Sequence, residues 1–121
     1  MRRDAQRLAD ITDAADVVAG YVKQISRDDF VSGGLVHDAI LRQLTVAGEA
    51  AYKVSRGLRA RHPEVPWAQI AGFRHRVVHD YFGLDLGAVW RFAAVELPVL
   101  KDQAIAIISV EFQEESDGPQ D

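Results

Sequence analysis

Apolar residues recur every three or four positions along almost the whole chain, and nowhere do they alternate with polar ones. That period belongs to helices with one buried face and leaves no room for half-buried strands. Leu8, Ile11, Ala15, Val18, Val22 and Ile25 form the first stripe, which predicts a helix over residues 3–25. Ser26, Arg27, Asp28 and Asp29 interrupt it with residues suited to a cap. A short helical turn around Phe30 fits the stretch that leads up to Gly33-Gly34. The second stripe, from Ile40 and Leu44 through Ala47, Ala51 and Ser55 to Leu58, predicts a helix over residues 35–61, ended before Pro63. Gly48 lies at its centre, where glycine costs about 1 kcal/mol relative to alanine. The expected compensation is close approach of another helix. Pro66 suits the first turn of a third helix over residues 66–80. Gly83 is a terminator for that helix, and Asp85 a cap for a fourth over residues 86–97. Pro98 then kinks or restarts the chain into a last apolar segment over residues 99–112. The expectation is an all-α, up-down bundle of four to five helices.

With 121 residues the chain makes one domain, expected over residues 1–113. Residues 114–121 read as a disordered acidic tail. Cysteine is absent, so disulfides, thiolate metal sites and thiol nucleophiles are excluded. The first residues are charged, unlike a signal peptide, and no apolar run approaches the roughly 20 residues of a membrane span. A cytoplasmic protein without membrane contact is expected. The net charge of −4 conceals an uneven distribution. Residues 53–91 hold 7 Lys/Arg against 3 Asp/Glu, whereas residues 92–121 hold 1 against 7. The basic middle also contains His62, His75 and His79. It is either a nucleic-acid surface or an ordinary solvated face of Lys53, Arg56, Arg59 and Arg61.

The third helix departs from ordinary patterning. With Ile70 at zero and 100° per residue, Val77, Tyr81 and Val78 fall at roughly 340°, 20° and 80°. Arg74 falls at roughly 40°, inside that apolar face. A lone buried charge is too costly, so Arg74 must pair with a carboxylate, snorkel, or face a cleft or a partner subunit. His75 and His79 fall at roughly 140° and 180°, away from Arg74 if the helix stays regular. Unwinding near His79, or a site assembled from two subunits, would reconcile them. The His75/His79 spacing also suits zinc, but Arg76 occupies the position where a metalloprotease carries its glutamate base. A cation beside the ligands opposes metal binding, and no metal site is expected.

Arg74-His75-Arg76-Val77-Val78-His79-Asp80-Tyr81 resembles the Arg, four residues, His, any, Tyr motif of HepT-type toxins in the HEPN superfamily. His75 stands where that family often has asparagine. The resemblance spans most of the chain. Gly48-Glu49-Ala50, Val65-Pro66-Trp67, Ile70-Ala71-Gly72, the Tyr81-to-Asp85 segment with Val89-Trp90, and Leu97-Pro98 all look like family positions in the same order.

The resemblance implies a metal-independent endoribonuclease, without a cofactor, acting as the toxin of a type VII-like toxin–antitoxin pair. Arg74 and His79 are its implied catalytic residues: the histidine as acid or base, the arginine as stabiliser of phosphorane charge. It implies a homodimer with facing motifs and RNA (tRNA or mRNA) as substrate. It further implies a minimal nucleotidyltransferase (MntA-type) antitoxin that silences the toxin by AMPylation of Tyr81. From pattern alone, Tyr81 lies on the apolar face and reads as a core or interface tyrosine. His75, Arg76 and Glu49 are possible supporting residues, Glu49 by orienting Arg74 or Arg76. Asp80 could tune His79 or simply face solvent, and Trp67 and Trp90 read as core. The alternative function is a non-catalytic helical partner of a nucleotidyltransferase.

Overall fold

The computed structural model describes residues 2–117 and is mostly helical, with no strand among the described residues. Four long helices carry the bundle: α1 (Arg2–Val22), α3 (Leu35–Lys53), α5 (Trp67–His79) and α7 (Leu97–Asp117). Three short ones, α2 (Arg27–Ser32), α4 (Arg56–Arg61) and α6 (Leu86–Arg91), lie at their junctions. The expected all-α bundle is therefore what forms. α3 is the central element, packed against α1 on one side and α5 on another, while α7 closes over α1. Leu8, Ile11, Ile40, Leu44, Ile70 and Leu97 are sealed between them. Each such side chain contributes about 1.5–3 kcal/mol by leaving water. The helix expected over residues 86–97 and the last segment are joined by a π-helical stretch, Phe92–Glu96. Pro98 has no N–H and its ring crowds the preceding turn, which opens the ladder there. The Leu97 N–H bonds instead to the carbonyl of Phe92, one residue further back than in an α-helix.

The helix expected over residues 35–61 is broken in two. Val54 and Ser55 adopt extended backbone, and Ser55 caps α4 by accepting from the Leu58 N–H. The cause lies in the first turn of α1. The Asp4 carboxylate, buried there, accepts from the Ser55 backbone N–H at 2.8 Å and from its hydroxyl at 2.5 Å. At the other end, Ser26 and Asp29 make a reciprocal capping box on α2. Gly33 and Gly34, at φ of 92° and 110°, then turn the chain back into α3. α7 continues to Asp117, and residues 118–121 of the tail expected over residues 114–121 lie outside the described residues. Among the described residues no helix is long and apolar enough to cross a membrane.

Candidate functional site

α5 is fixed at its start by Trp67, whose indole N–H donates to the His62 carbonyl at 2.9 Å. Pro66 occupies the cap position, one residue before the helix, and its carbonyl accepts from the Ile70 N–H. α5 then crosses α3 at Gly48. A Cβ at Gly48 would lie 2.5 Å from the Arg74 Cβ and 3.0 Å from the Ile70 carbonyl oxygen. The glycine is thus the device that lets the two backbones approach, and it places Arg74 directly over α3.

Arg74 resolves its position on the apolar face by pairing. Its Nε lies 2.9 Å from Glu49 Oε1, and Lys53 Nζ lies 3.1 Å from the other oxygen of Glu49. The hydrogen bond from Lys53 holds the Glu49 carboxyl below its ordinary value; partial burial opposes this, and the Arg74 charge adds to the lowering. Glu49 stays ionised and orients the guanidinium. The Arg74 and Glu49 side chains are 37% and 36% exposed, so the pair sits at a rim, not in the core. Tyr52, Ala71, Gly72, Arg74 and His75 line a hollow there, about 620 Å³ with its open mouth.

His75 and His79 lie one turn apart on the exposed side of α5, with ring centroids 4.5 Å apart and the rings tilted to one another. α5 keeps its pitch through His79 and ends at Asp80. The unwinding that would have brought His79 round to Arg74 therefore does not occur. Among the described residues no hydrogen bond joins the two; His75 stands between them, lining the hollow with Arg74 and touching the ring of His79. Arg76 points the other way, lining a small pocket with Phe73, Leu84 and Val89, so Glu49 serves Arg74 and not Arg76.

Gly83 does not terminate α5, which has already ended. It closes a 3₁₀ turn, Tyr81–Gly83, and leaves room for the Asp80 side chain: a Cβ there would sit 2.7 Å from Asp80 Oδ1. Asp80 thereby turns toward this turn. Asp85 caps α6 as expected, accepting from the Ala88 N–H at 3.1 Å. The turn takes Tyr81 off the helical wheel, and its hydroxyl meets the buried ring of His37 at 2.9 Å. Residue patterning did not mark His37 as functional. Its signal was nonetheless present: it continues the buried stripe of Ile40, Leu44 and Ala47 one turn toward the glycine pair.

Residues 11–107 match the family model described as "Ribonuclease HepT-like". The chain belongs to the HepT-like ribonuclease family. It is 37% identical over 90 residues to "Putative RNase TTE0752" of Caldanaerobacter subterraneus subsp. tengcongensis, covering 74% of this chain and 80% of that one. It is 33% identical over 101 residues to "Putative RNase MJ1216" of Methanocaldococcus jannaschii, covering 84% of each. It is 31% identical over 94 residues to "Probable ribonuclease HepT" of Thermococcus cleftensis, covering 78% of this chain and 86% of that one. No solved structure matches. The matched residues take in both α3 and α5, the two helices that cross at Gly48 and Arg74.

Proposed function

We propose that this member of the family is a metal-independent endoribonuclease and the toxin of a type VII-like toxin–antitoxin pair, acting through Arg74 and His79. The observation that carries the reading is the Arg74–Glu49–Lys53 set beside the neighbouring His75/His79 pair. Glu49 holds the guanidinium by Nε, which leaves its outer fork for a phosphate in the hollow. His79 is solvent-exposed, and histidine is the side chain whose protonation suits general acid–base chemistry near neutral pH. In the reaction the 2′-hydroxyl oxygen of the RNA attacks the adjacent phosphorus while its proton passes to a histidine. The 5′-oxygen leaves and takes up a proton, and Arg74 stabilises the charge on the phosphoryl oxygens.

His75 extends the histidine surface toward Arg74, in the place where the family often has asparagine. The regular α5 leaves Arg74 and His79 on different faces of one chain, so a second copy is proposed to bring the two motifs to one cleft. Val78 (51% exposed) and Phe82 (98% exposed) flank His79 and supply apolar surface for that dimer. The substrate is RNA, tRNA or mRNA, and the protein works in the cytoplasm.

The regulatory part is AMPylation of Tyr81 by a partner nucleotidyltransferase antitoxin. An AMP group there adds negative charge and bulk two residues along the chain from His79, which repels an RNA backbone. Incubation with that partner, ATP and Mg²⁺ is expected to add about 329 Da, or multiples, at Tyr81 (an AMP residue, charged as a phosphoester). An unchanged mass would remove the regulatory model.

The test of the activity is expression of wild type, His79→Ala and Arg74→Ala without any partner, following growth and RNA integrity together. The wild type is expected to arrest growth and degrade RNA. Each variant is expected to lose about 10²–10⁴-fold of the cleavage. Wild-type cleavage by either variant would remove that residue from the site. Intact RNA and normal growth in every case would favour a non-catalytic binding partner of the nucleotidyltransferase.

A further inference from the structure

The buried histidine beside Tyr81 is unexplained by the ribonuclease chemistry. His37 is 1% exposed and sits in the first turn of α3; with Asp4 it is one of two buried polar side chains among the described residues. Its ring lies against Phe30, with centroids 4.7 Å apart, and an aromatic or aliphatic residue would fill that space equally well. What a hydrocarbon could not supply are its two polar contacts. Nδ1 is 2.7 Å from the Phe30 carbonyl oxygen, and Nε2 is 2.9 Å from the Tyr81 hydroxyl.

These partners assign the proton. A carbonyl only accepts, so Nδ1 carries the hydrogen and donates it to Phe30. In the neutral ring Nε2 then presents its lone pair, and the Tyr81 O–H donates to it. The backbone around the histidine secures this tautomer. Gly33 and Gly34 fold the start of α3 back over the end of α2, and the Gly33 N–H donates to the same Phe30 carbonyl at 3.0 Å. Tyr81 itself is 38% exposed, so its ring reaches solvent while its hydroxyl hydrogen is committed to a base inside the protein. Among the described residues this is the one side-chain hydrogen bond made by the Tyr81–Gly83 turn.

We propose that His37 is the general base that activates Tyr81 as a nucleophile toward phosphorus, an assignment that rests on the reading of Tyr81 as a nucleotidylation site. The electrophile is the α-phosphorus of a magnesium-bound nucleoside triphosphate presented by the partner transferase. The Tyr81 oxygen forms the new O–P bond, the bond from the α-phosphorus to the bridging oxygen breaks, and pyrophosphate leaves. The phenolic proton goes to His37 Nε2. The resulting imidazolium is held by the Phe30 carbonyl through Nδ1–H, a contact that becomes charge-assisted at that moment. Tyr52 provides the contrast: it is more exposed, at 66%, but has no hydrogen-bonded base among the described residues.

The experiment has two arms, both on the full chain, comparing wild type with His37→Gln and His37→Phe. Glutamine can still accept a hydrogen bond from the tyrosine but cannot take its proton, so it separates basicity from simple tethering. In the first arm a soluble arylsulfonyl fluoride is the probe, and labelling of Tyr81 and Tyr52 is followed by peptide mass spectrometry. Wild-type Tyr81 is expected to label about tenfold faster than Tyr52, and both variants to lose that excess while Tyr52 is unchanged. In the second arm the partner transferase, ATP and Mg²⁺ are added, and the rate of AMP attachment is expected to fall about 10²-fold in both variants.

Labelling of wild-type Tyr81 no faster than Tyr52 overturns the proposal without reference to any variant. So does His37→Gln modified at the wild-type rate. A wild type that labels as expected but never receives AMP sinks the nucleotidylation reading and leaves the activation of Tyr81 by His37 standing. Thermal melts accompany each variant, so a collapsed fold is recognised as such.

Discussion

Replacing Gly48 by alanine tests the geometry on which the Arg74 site stands. Judged by helix propensity alone, the substitution should stabilise α3 by about 1 kcal/mol. The crossing with α5 reverses that sign. The new methyl carbon would stand 2.5 Å from the Arg74 Cβ and 3.0 Å from the Ile70 carbonyl, where carbon atoms prefer about 3.5–4.0 Å. Neither neighbour is the end of a flexible side chain, so the helices themselves must separate. Overpacking of this kind costs about 1–3 kcal/mol. Set against the propensity gain, the net expectation is a loss of up to about 2 kcal/mol in place of the gain, or a Tm lower by up to roughly 10 °C for a chain of this size. Moving α5 outward also stretches the 2.9 Å contact between Arg74 and Glu49, so RNA cleavage should fall more than stability does. Thermal denaturation followed by helical circular dichroism reads the first effect, and initial rates of cleavage of a labelled RNA read the second. A Gly48→Ala protein more stable than wild type by the full propensity gain of about 1 kcal/mol would refute the reasoning, because it would mean that the crossing relaxes at no cost.

Other perturbations read other parts of the structure. Glu49→Gln removes the charge that orients Arg74; both side chains are over a third exposed, so the melting temperature should move by the effect of under about 1 kcal/mol. Cleavage should nonetheless drop about tenfold, and an unchanged rate measured with saturating RNA would detach Glu49 from the site. Glu111 accepts from Arg61 Nε and Nη2 at 3.0 and 2.9 Å and from His62 Nε2 at 2.7 Å, and these contacts, Arg61 first, lower its carboxyl from 4.5 to about 2. Its contribution is therefore complete above the ordinary carboxyl range and fades as the pH falls from there through about 2. Denaturation midpoints across that acid range should fall more steeply for wild type than for Glu111→Gln, and parallel curves would contradict the linkage. Ser55→Ala removes both a cap and a donor to the buried Asp4 carboxylate, for an expected loss of about 1–3 kcal/mol in urea unfolding. A midpoint within experimental error of wild type would show that Asp4 finds another partner.

What could be read from the residues divides along the distance over which each signal acts. A 3.6-residue stripe is a property of neighbours, and so the four long helices, the Asp85 cap and the close approach at Gly48 were all legible. The break at Val54–Ser55 was not, since its apolar stripe runs on from Ala51 to Leu58 without interruption. Its cause is a carboxylate 51 positions away. Pro98 announced a disturbance but not its form, because whether a helix kinks or widens depends on what surrounds it. The wheel that separated Arg74 from His79 was sound, since α5 is regular through His79. The same wheel misplaced Tyr81, because the chain leaves the helix at Asp80 and the tyrosine finds His37, 44 positions earlier. Glu49 as the partner of Arg74 was one of two alternatives, and only the crossing of α3 with α5 decides it.

The tie between Asp4 and Ser55 also bears on the order in which a ribosome delivers this chain. Its two ends emerge well before α5, so α1 and α3 can close as an antiparallel hairpin while Arg74 and His79 are still unmade. Contacts within that hairpin are short in sequence compared with those that later bring α7 across α1, and such units form early. A nascent chain would thus acquire a stable scaffold first and its reactive groups afterwards.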